Sequence, residues 1–188
     1  LYNTSPFTNV RTLKNLYLEP DTLKIYQFGE DALGTWSGYN NISFTELADR
    51  FINNDILYID ALKFPVLANN TESIEKIKIQ IWEGKEFPTT LISEIPVNKD
   101  SVIRGVYCNR LENPITVSGT FFVVFKIDQL SEQDSVSLYT VSNRSNKWNT
   151  LYYKYKESWV SANKLGLYSS LGMEVYIRKS LDSTLNIT

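Results

Sequence analysis

The sequence predicts an all-β fold: two antiparallel sheets packed as a β-sandwich, jelly-roll-like, with one short amphipathic helix. Three observations carry this. Short apolar segments alternate with period two, polar turns punctuate them at close intervals, and only one stretch shows helical periodicity. The clearest segment is Ile74 to Pro88, IEKIKIQIWEGKEFP. Ile77, Ile79 and Ile81 alternate with Lys76, Lys78 and Gln80, so one face is oily and the other wet. The isoleucines are expected in the core and the two lysines in solvent. Trp82 continues the polar face, at the rim of its sheet, and Gly84 with Pro88 ends the run.

The other elements follow in order. Residues 1–22 lack a period and are read as an irregular segment, with residues 23–188 as the β-sandwich domain. Leu1 to Thr4 carries neither a charged leader nor an apolar core, so an export signal is expected to be absent or already removed. Leu23 to Phe28 reads as a first strand, and Gly29 to Gly38 as a turn-rich segment holding Trp36. Asn41 to Asn53 reads as the helix. Ser43 and Glu46 form an S-x-x-E capping box, and Phe44, Leu47, Ala48 and Phe51 make one apolar stripe. Ile56 to Leu67 is apolar on both faces, as a strand under that helix would be. Pro65 places its end at a sheet edge or bulge. Asn69 to Glu72 reads as a loop.

Thr89 to Glu94 is a short extended piece. Val102 to Asn109 and Ile115 to Val117 read as two strands separated by Glu112-Asn113-Pro114. Thr120 to Ile127, TFFVVFKI, is the most apolar and is placed centrally. Ser135 to Val141 is paired with Leu151 to Lys156, and Leu171 to Lys179 closes the fold. The spacing suggests about nine or ten strands.

Composition narrows function mainly by exclusion. The net charge of -2 offers no electrostatic footprint for nucleic acid or an anionic membrane, and no apolar run is long enough for a membrane helix. With no histidine, Ser-His-Asp and Cys-His catalysis and the usual zinc sites are ruled out. The single Cys108, within VIRGVYCN, cannot build an internal disulfide and reads as a buried structural thiol. There is no glycine-rich phosphate loop. Paired carboxylates remain the one catalytic option. Glu83 is the best-placed acid, and it is read as a solvated loop residue. Asp128, Glu132 and Asp134 cluster in DQLSEQD without calcium-loop spacing. The reading is therefore no enzyme, no cofactor and no metal. Asn3, Asn41, Asn69, Asn143 and Asn186 begin N-x-S/T triplets, which an Asn- and Ser/Thr-rich chain produces by chance.

The aromatic fraction, 13%, is the positive binding signal. Trp82 and Trp159 are read as plugs of the sandwich. Trp148, flanked by Asn146, Lys147 and Asn149, is read as exposed. If a sugar binds, the expected contact residues are Trp148, Asn146 and Asn149, then Trp36 with Tyr39.

Two stretches carry a resemblance. GTWSGYNNISFTELADRF (Gly34 to Phe51), and IKIQIW followed by Pro88 and then GTFFVVFKI, resemble a non-catalytic β-sandwich domain of secreted and surface proteins of Bacteroidetes. Gly38-Tyr39-Asn40, Phe51, Trp82, Pro88 and Gly119-Thr120-Phe121 match its marks in order. That domain often lies beside peptidase, adhesin or C-terminal sorting domains. The resemblance implies an accessory or adhesion module of a secreted or cell-surface protein and transfers no catalytic residue. The alternative is a carbohydrate-binding module using exposed aromatic residues. The expected partner is a glycan, or another protein or domain of the same secreted polypeptide; no nucleic acid is expected.

Overall fold

The computed structural model describes residues 21–22, 32–37, 46–68, 70–103, 105–128, 136–142 and 149–179. Two antiparallel sheets form a sandwich. The larger contains β1 (Asp21–Thr22), β2 (Ala32–Ser37), β4 (Ile56–Ala68), β7 (Val102–Ile103), β8 (Val106–Ser118), β10 (Val136–Ser142), β13 (Ser169–Leu171) and β14 (Glu174–Lys179). The smaller runs β12 (Ser158–Ser161), β11 (Leu151–Tyr155), β3 (Glu46–Phe51), β9 (Phe121–Ile127), β5 (Ile77–Glu83), β6 (Thr90–Pro96). The described residues thus form 14 strand segments, more than the spacing suggested, because several last only two or three residues.

The alternation of β5 is borne out: Ile77, Ile79 and Ile81 are fully buried between the sheets. Lys76 and Lys78 are half-buried rather than exposed. The Lys78 Nζ lies 3.3 Å from Asp128 and 3.8 Å from Glu94, which draws its stem along the sheet. β9 is central as expected, flanked by β3 and β5. Phe121, Val123 and Phe125 enter the inter-sheet core, where Phe125 meets Phe64 edge-on at 4.5 Å.

The expected helix over residues 41–53 is overturned. Ser43 and Phe44 lie outside the described residues, and residues 46–51 form β3. Leu47, Ala48 and Phe51 satisfy a helical stripe, yet Leu47 and Phe51 also fit period two. β9 and β11 take up the strand's hydrogen bonds on both sides, and this pairing overrides local propensity. The short helix is instead α1 (Thr71–Glu75), which takes the end of the stretch read as a loop and the first two residues of the segment Ile74 to Pro88. Asn70 caps it, accepting a hydrogen bond from the Ser73 N–H at 2.7 Å.

β4 owes its two-faced pattern to a register shift between Ile59 and Ala61 rather than to a covering helix. Leu57 and Ile59 point inward before the shift, and Leu62 and Phe64 after it. Opposite, Leu111 to Pro114 form the irregular part of one continuous β8, which the sequence had suggested were two strands. Pro65 lies inside β4, not at its end. On that side pairing with β14 stops at Lys63 and pairing with β10 starts at Val66, so proline's missing N–H falls in the gap.

Three further corrections follow from the topology. Residues 32–37 of the turn-rich segment form β2, paired with β10. β10 and β11 belong to different sheets and do not pair. Cys108 is exposed: Tyr107 takes the inward position on β8, which turns its neighbour outward. The segment Leu23 to Phe28 lies outside the described residues.

Candidate functional site

The outer face of the six-stranded sheet carries a second, smaller apolar cluster. Strand parity puts Ala48, Phe122, Val124 and Tyr152 there, all buried, with Trp82 and Trp159 packed against them. The register aligns these residues in rows. Tyr152, Ala48, Val124, Gln80 and Glu94 run across one row, and Arg50, Phe122 and Trp82 across the next. Trp82 and Trp159 thus pack on the sheet, as structural residues would, but on its outer face rather than at the ends of the sandwich.

The polar groups among these rings are paired. The Trp82 indole N–H donates to Gln80 Oε1 at 2.8 Å, and Gln80 Nε2 donates to Glu94 Oε2 at 2.6 Å. Lys154 Nζ contacts Glu46 Oε1 at 2.9 Å and Glu157 Oε2 at 3.5 Å, and lies 5.9 Å from the centre of the Trp159 ring. Burial alone would lower the Lys154 ammonium. Its hydrogen bond to Glu46 and the charges of Glu46 and Glu157 outweigh that and hold it above its usual value.

Beside this cluster the β5–β6 connection folds back over the sheet. The Thr89 N–H donates to Glu83 O at 2.8 Å and closes the turn. Gly84 is required there, because a Cβ on it would sit 1.9 Å from the Phe87 carbonyl oxygen. Glu83, the acid singled out in the sequence, is tied into the same corner, accepting from the Ser118 N–H at 3.1 Å. Arg50 Nη2 donates to Lys85 O at 2.6 Å and holds the turn against β3. The result is a cleft of about 510 Å³, within the range of small-molecule sites. Arg50, Ile52, Lys85, Glu86, Phe87, Tyr152 and Ser161 line it. Phe87 meets Tyr152 edge-on at 5.9 Å and stays 41% exposed, so its ring is open to a ligand.

Of the residues predicted for binding, Trp148, Asn146 and Tyr39 lie outside the described residues, as do Glu132 and Asp134. Trp36 is in β2, opposite Leu138 in the sheet that does not bear the cleft. Asn149 comes next to the cleft. Its Nδ2 donates to Leu151 O and, at 3.0 Å, to the Ser161 hydroxyl, while its Oδ1 has no partner among the described residues. Sequence reasoning missed Arg50, Phe87, Tyr152 and Ser161. The outward parity of Tyr152 in LYYKY was a usable signal, but Arg50 was hidden by the helical reading of β3. Among the described residues no cluster of His, Cys, Asp and Glu could hold a metal ion, and no helix is long and apolar enough to cross a membrane.

The fold defines an all-β sandwich module. Among solved structures the chain is similar to the cysteine protease and lectin-like domains of Cwp84, a surface layer associated protein of Clostridium difficile. That match has a TM-score of 0.53 and 13% identity, over 72% of this chain and 32% of that one. The clostridial cysteine protease Cwp84 after propeptide cleavage matches with a TM-score of 0.55 and 12% identity, over 82% and 40% of the two chains. At this identity the likeness is one of fold, and the chain spans well under half the length of either structure. No family model matches the chain, and no curated protein matches it by sequence. Both structures named are clostridial, so the Bacteroidetes side of the resemblance finds no support.

Proposed function

We propose that this chain is a non-catalytic accessory domain of a secreted or cell-surface protein, and that it binds carbohydrate on the outer face of its six-stranded sheet. The observation that carries the proposal is the cleft beside Phe87 and Tyr152, where a partly exposed aromatic ring lines a space shared with polar residues, Ser161 among them. Sugar rings present C–H groups on one face and hydroxyls at the edge. An aromatic wall with polar neighbours suits that division, because the apolar contact is desolvated while each hydroxyl keeps a partner. Lectin-like domains are named in a structure of similar fold, beside a protease, which fits an accessory role.

The prominent acids support a non-catalytic reading, since each is held by a structural partner. Asp49 accepts from the Leu171 N–H, Asp60 from Arg178, Glu46 from Lys154 and Glu174 from Tyr176. A glycan-array screen followed by titration with the best hit tests the proposal. Phe87→Ala should weaken binding about tenfold or more while leaving the urea midpoint nearly unchanged. Absence of binding across the array, or full binding by Phe87→Ala, would refute it.

A protein partner is the second reading. It is favoured by β6, which ends its sheet among the described residues and leaves Leu91 and Ile92 46% and 38% exposed.

A further inference from the structure

We infer that the cleft prefers sugars carrying an N-acetyl group, with Ile52 and Phe87 receiving the acetyl methyl and the Ser161 hydroxyl donating to the acetyl oxygen. This rests on the carbohydrate reading above and names the substrate class. Two large apolar side chains of the lining stand open to solvent, Ile52 at 49% and Phe87 at 41%. Ile52 directly follows β3 and continues the outward parity of Ala48 and Arg50. Phe87 reaches the same face from the β5–β6 turn, where its ring meets that of Tyr152. The Thr89 bond to Glu83 and the Arg50 bond to Lys85 fix that turn, so the apolar wall is in place before a ligand arrives. A methyl group laid against it leaves water together with both side chains.

The polar half of the recognition comes from β12. Ser161 is the cross-strand partner of Tyr152 on β11. Partners in an antiparallel pair show the same face, so Ser161 lies outward beside that ring. Asn149 Nδ2 donates to Ser161 Oγ at 3.0 Å. A hydroxyl that accepts on its oxygen keeps its own hydrogen to give, and accepting strengthens it as a donor. An acetamido group answers both features at once, because its methyl and its carbonyl oxygen sit on one carbon. A sugar with a hydroxyl in its place would press a polar group against Ile52 and Phe87, where it loses water without gaining a partner. A deoxy sugar would bring the methyl but no carbonyl for Ser161.

Titration calorimetry of the full chain tests this with matched pairs. Chitotriose against cellotriose, and N-acetylgalactosamine against galactose, differ only in an acetamido group or a hydroxyl on the second carbon. L-fucose against L-galactose differs only in a methyl group or a hydroxymethyl. The expected result is a preference of about tenfold or more for the acetylated member of at least one pair, and a smaller one for fucose. Ser161→Ala should reduce the acetyl preference severalfold and leave the fucose ratio unchanged, since only the acetyl oxygen uses that hydroxyl. Ile52→Ser, at an exposed side chain, should reduce both ratios and gives the reading if Ser161→Ala does not fold. Equal binding within both acetyl pairs overturns the inference while the carbohydrate proposal stands, and so does a preference for fucose alone. An acetyl preference undiminished in Ile52→Ser, or in a folded Ser161→Ala, overturns it too. If neither acetylated sugar binds, the inference falls, and the carbohydrate proposal falls with it when the glycan array is blank as well.

Discussion

Asp49 offers the sharpest test of how the two sheets are joined. It lies on β3 of the six-stranded sheet and is fully buried. Its Oδ2 accepts from the Leu171 N–H at 2.9 Å, and Leu171 belongs to β13 of the opposite sheet. Beside it the Thr150 and Ser170 hydroxyls bond to each other, both buried. Asp49→Ala removes a charged acceptor and strands a backbone donor at a buried position. A hydrogen bond to a charged group contributes about 1.5–3 kcal/mol. Removing the carboxylate also relieves its own desolvation, which keeps the loss from exceeding that range. In a domain of this size, about 2–4 °C of melting temperature accompanies each kcal/mol, so a fall of about 3–12 °C is expected. Asp49→Asn keeps an oxygen at the same place as a neutral acceptor and should cost about 0.5–1.5 kcal/mol, less than the alanine variant. Urea unfolding of the three proteins, with unchanged slope, measures both differences. If Asp49→Ala came within about 0.5 kcal/mol of the parent, the Leu171 N–H would have another acceptor. The cross-sheet strap would then not be Asp49.

Other outcomes follow from the same geometry. Ile79→Ala deletes a fully buried side chain and should cost about 2–5 kcal/mol in urea unfolding; a loss below about 0.5 would mean the site collapses without penalty. Gly84→Ala forces the β5–β6 turn apart, since its Cβ would meet the Phe87 carbonyl oxygen at 1.9 Å; amide shifts of residues 84–89 should move and any sugar affinity fall, and an unchanged spectrum of that turn would contradict this. Tyr176 gives a pH signature. Its hydroxyl donates to Glu174 Oε2 at 2.6 Å, and that bond, with burial and the Glu174 charge added, pushes its pKa up from 10.0 to about 12. A raised pKa favours the protonated form in the folded state. Its contribution is therefore complete below pH 10 and lost as pH rises toward 12. The stability difference between the parent and Tyr176→Phe should shrink across that window, and a difference constant with pH would show that the bond does not raise the pKa.

What could be read from the sequence was what depends on one segment alone. Ile77, Ile79 and Ile81 declared their strand because every second residue is a large β-branched side chain and the residues between are polar. Thr120 to Ile127 was placed centrally because it is the most apolar segment, five consecutive apolar residues following Thr120. Residues 46–51 defeated the same method, since the stripe and the alternation share Leu47 and Phe51, and the choice is made by β9 and β11, far away in the chain. The parity switch in β4 was invisible for a related reason: it lies at Asp60, where the register shifts against both β14 and β8. The cleft is less local still. Arg50, Phe87, Tyr152 and Ser161 come from four elements or turns, and nothing in any one of them announces the others. Asn149 was the exception, chosen for its neighbour Trp148 and found bonded to a cleft residue.

The outward turn of Cys108 has a practical use. It is the one cysteine in the chain, it is exposed, and it lies on β8 in the sheet opposite the one that bears the cleft. A maleimide linker or a fluorophore can therefore be attached at a single defined point on the untouched sequence. Coupled to a sensor chip through that thiol, the molecules would all stand the same way up, with the Phe87 side facing the flow. Binding could then be measured on a uniformly oriented layer without first engineering the protein.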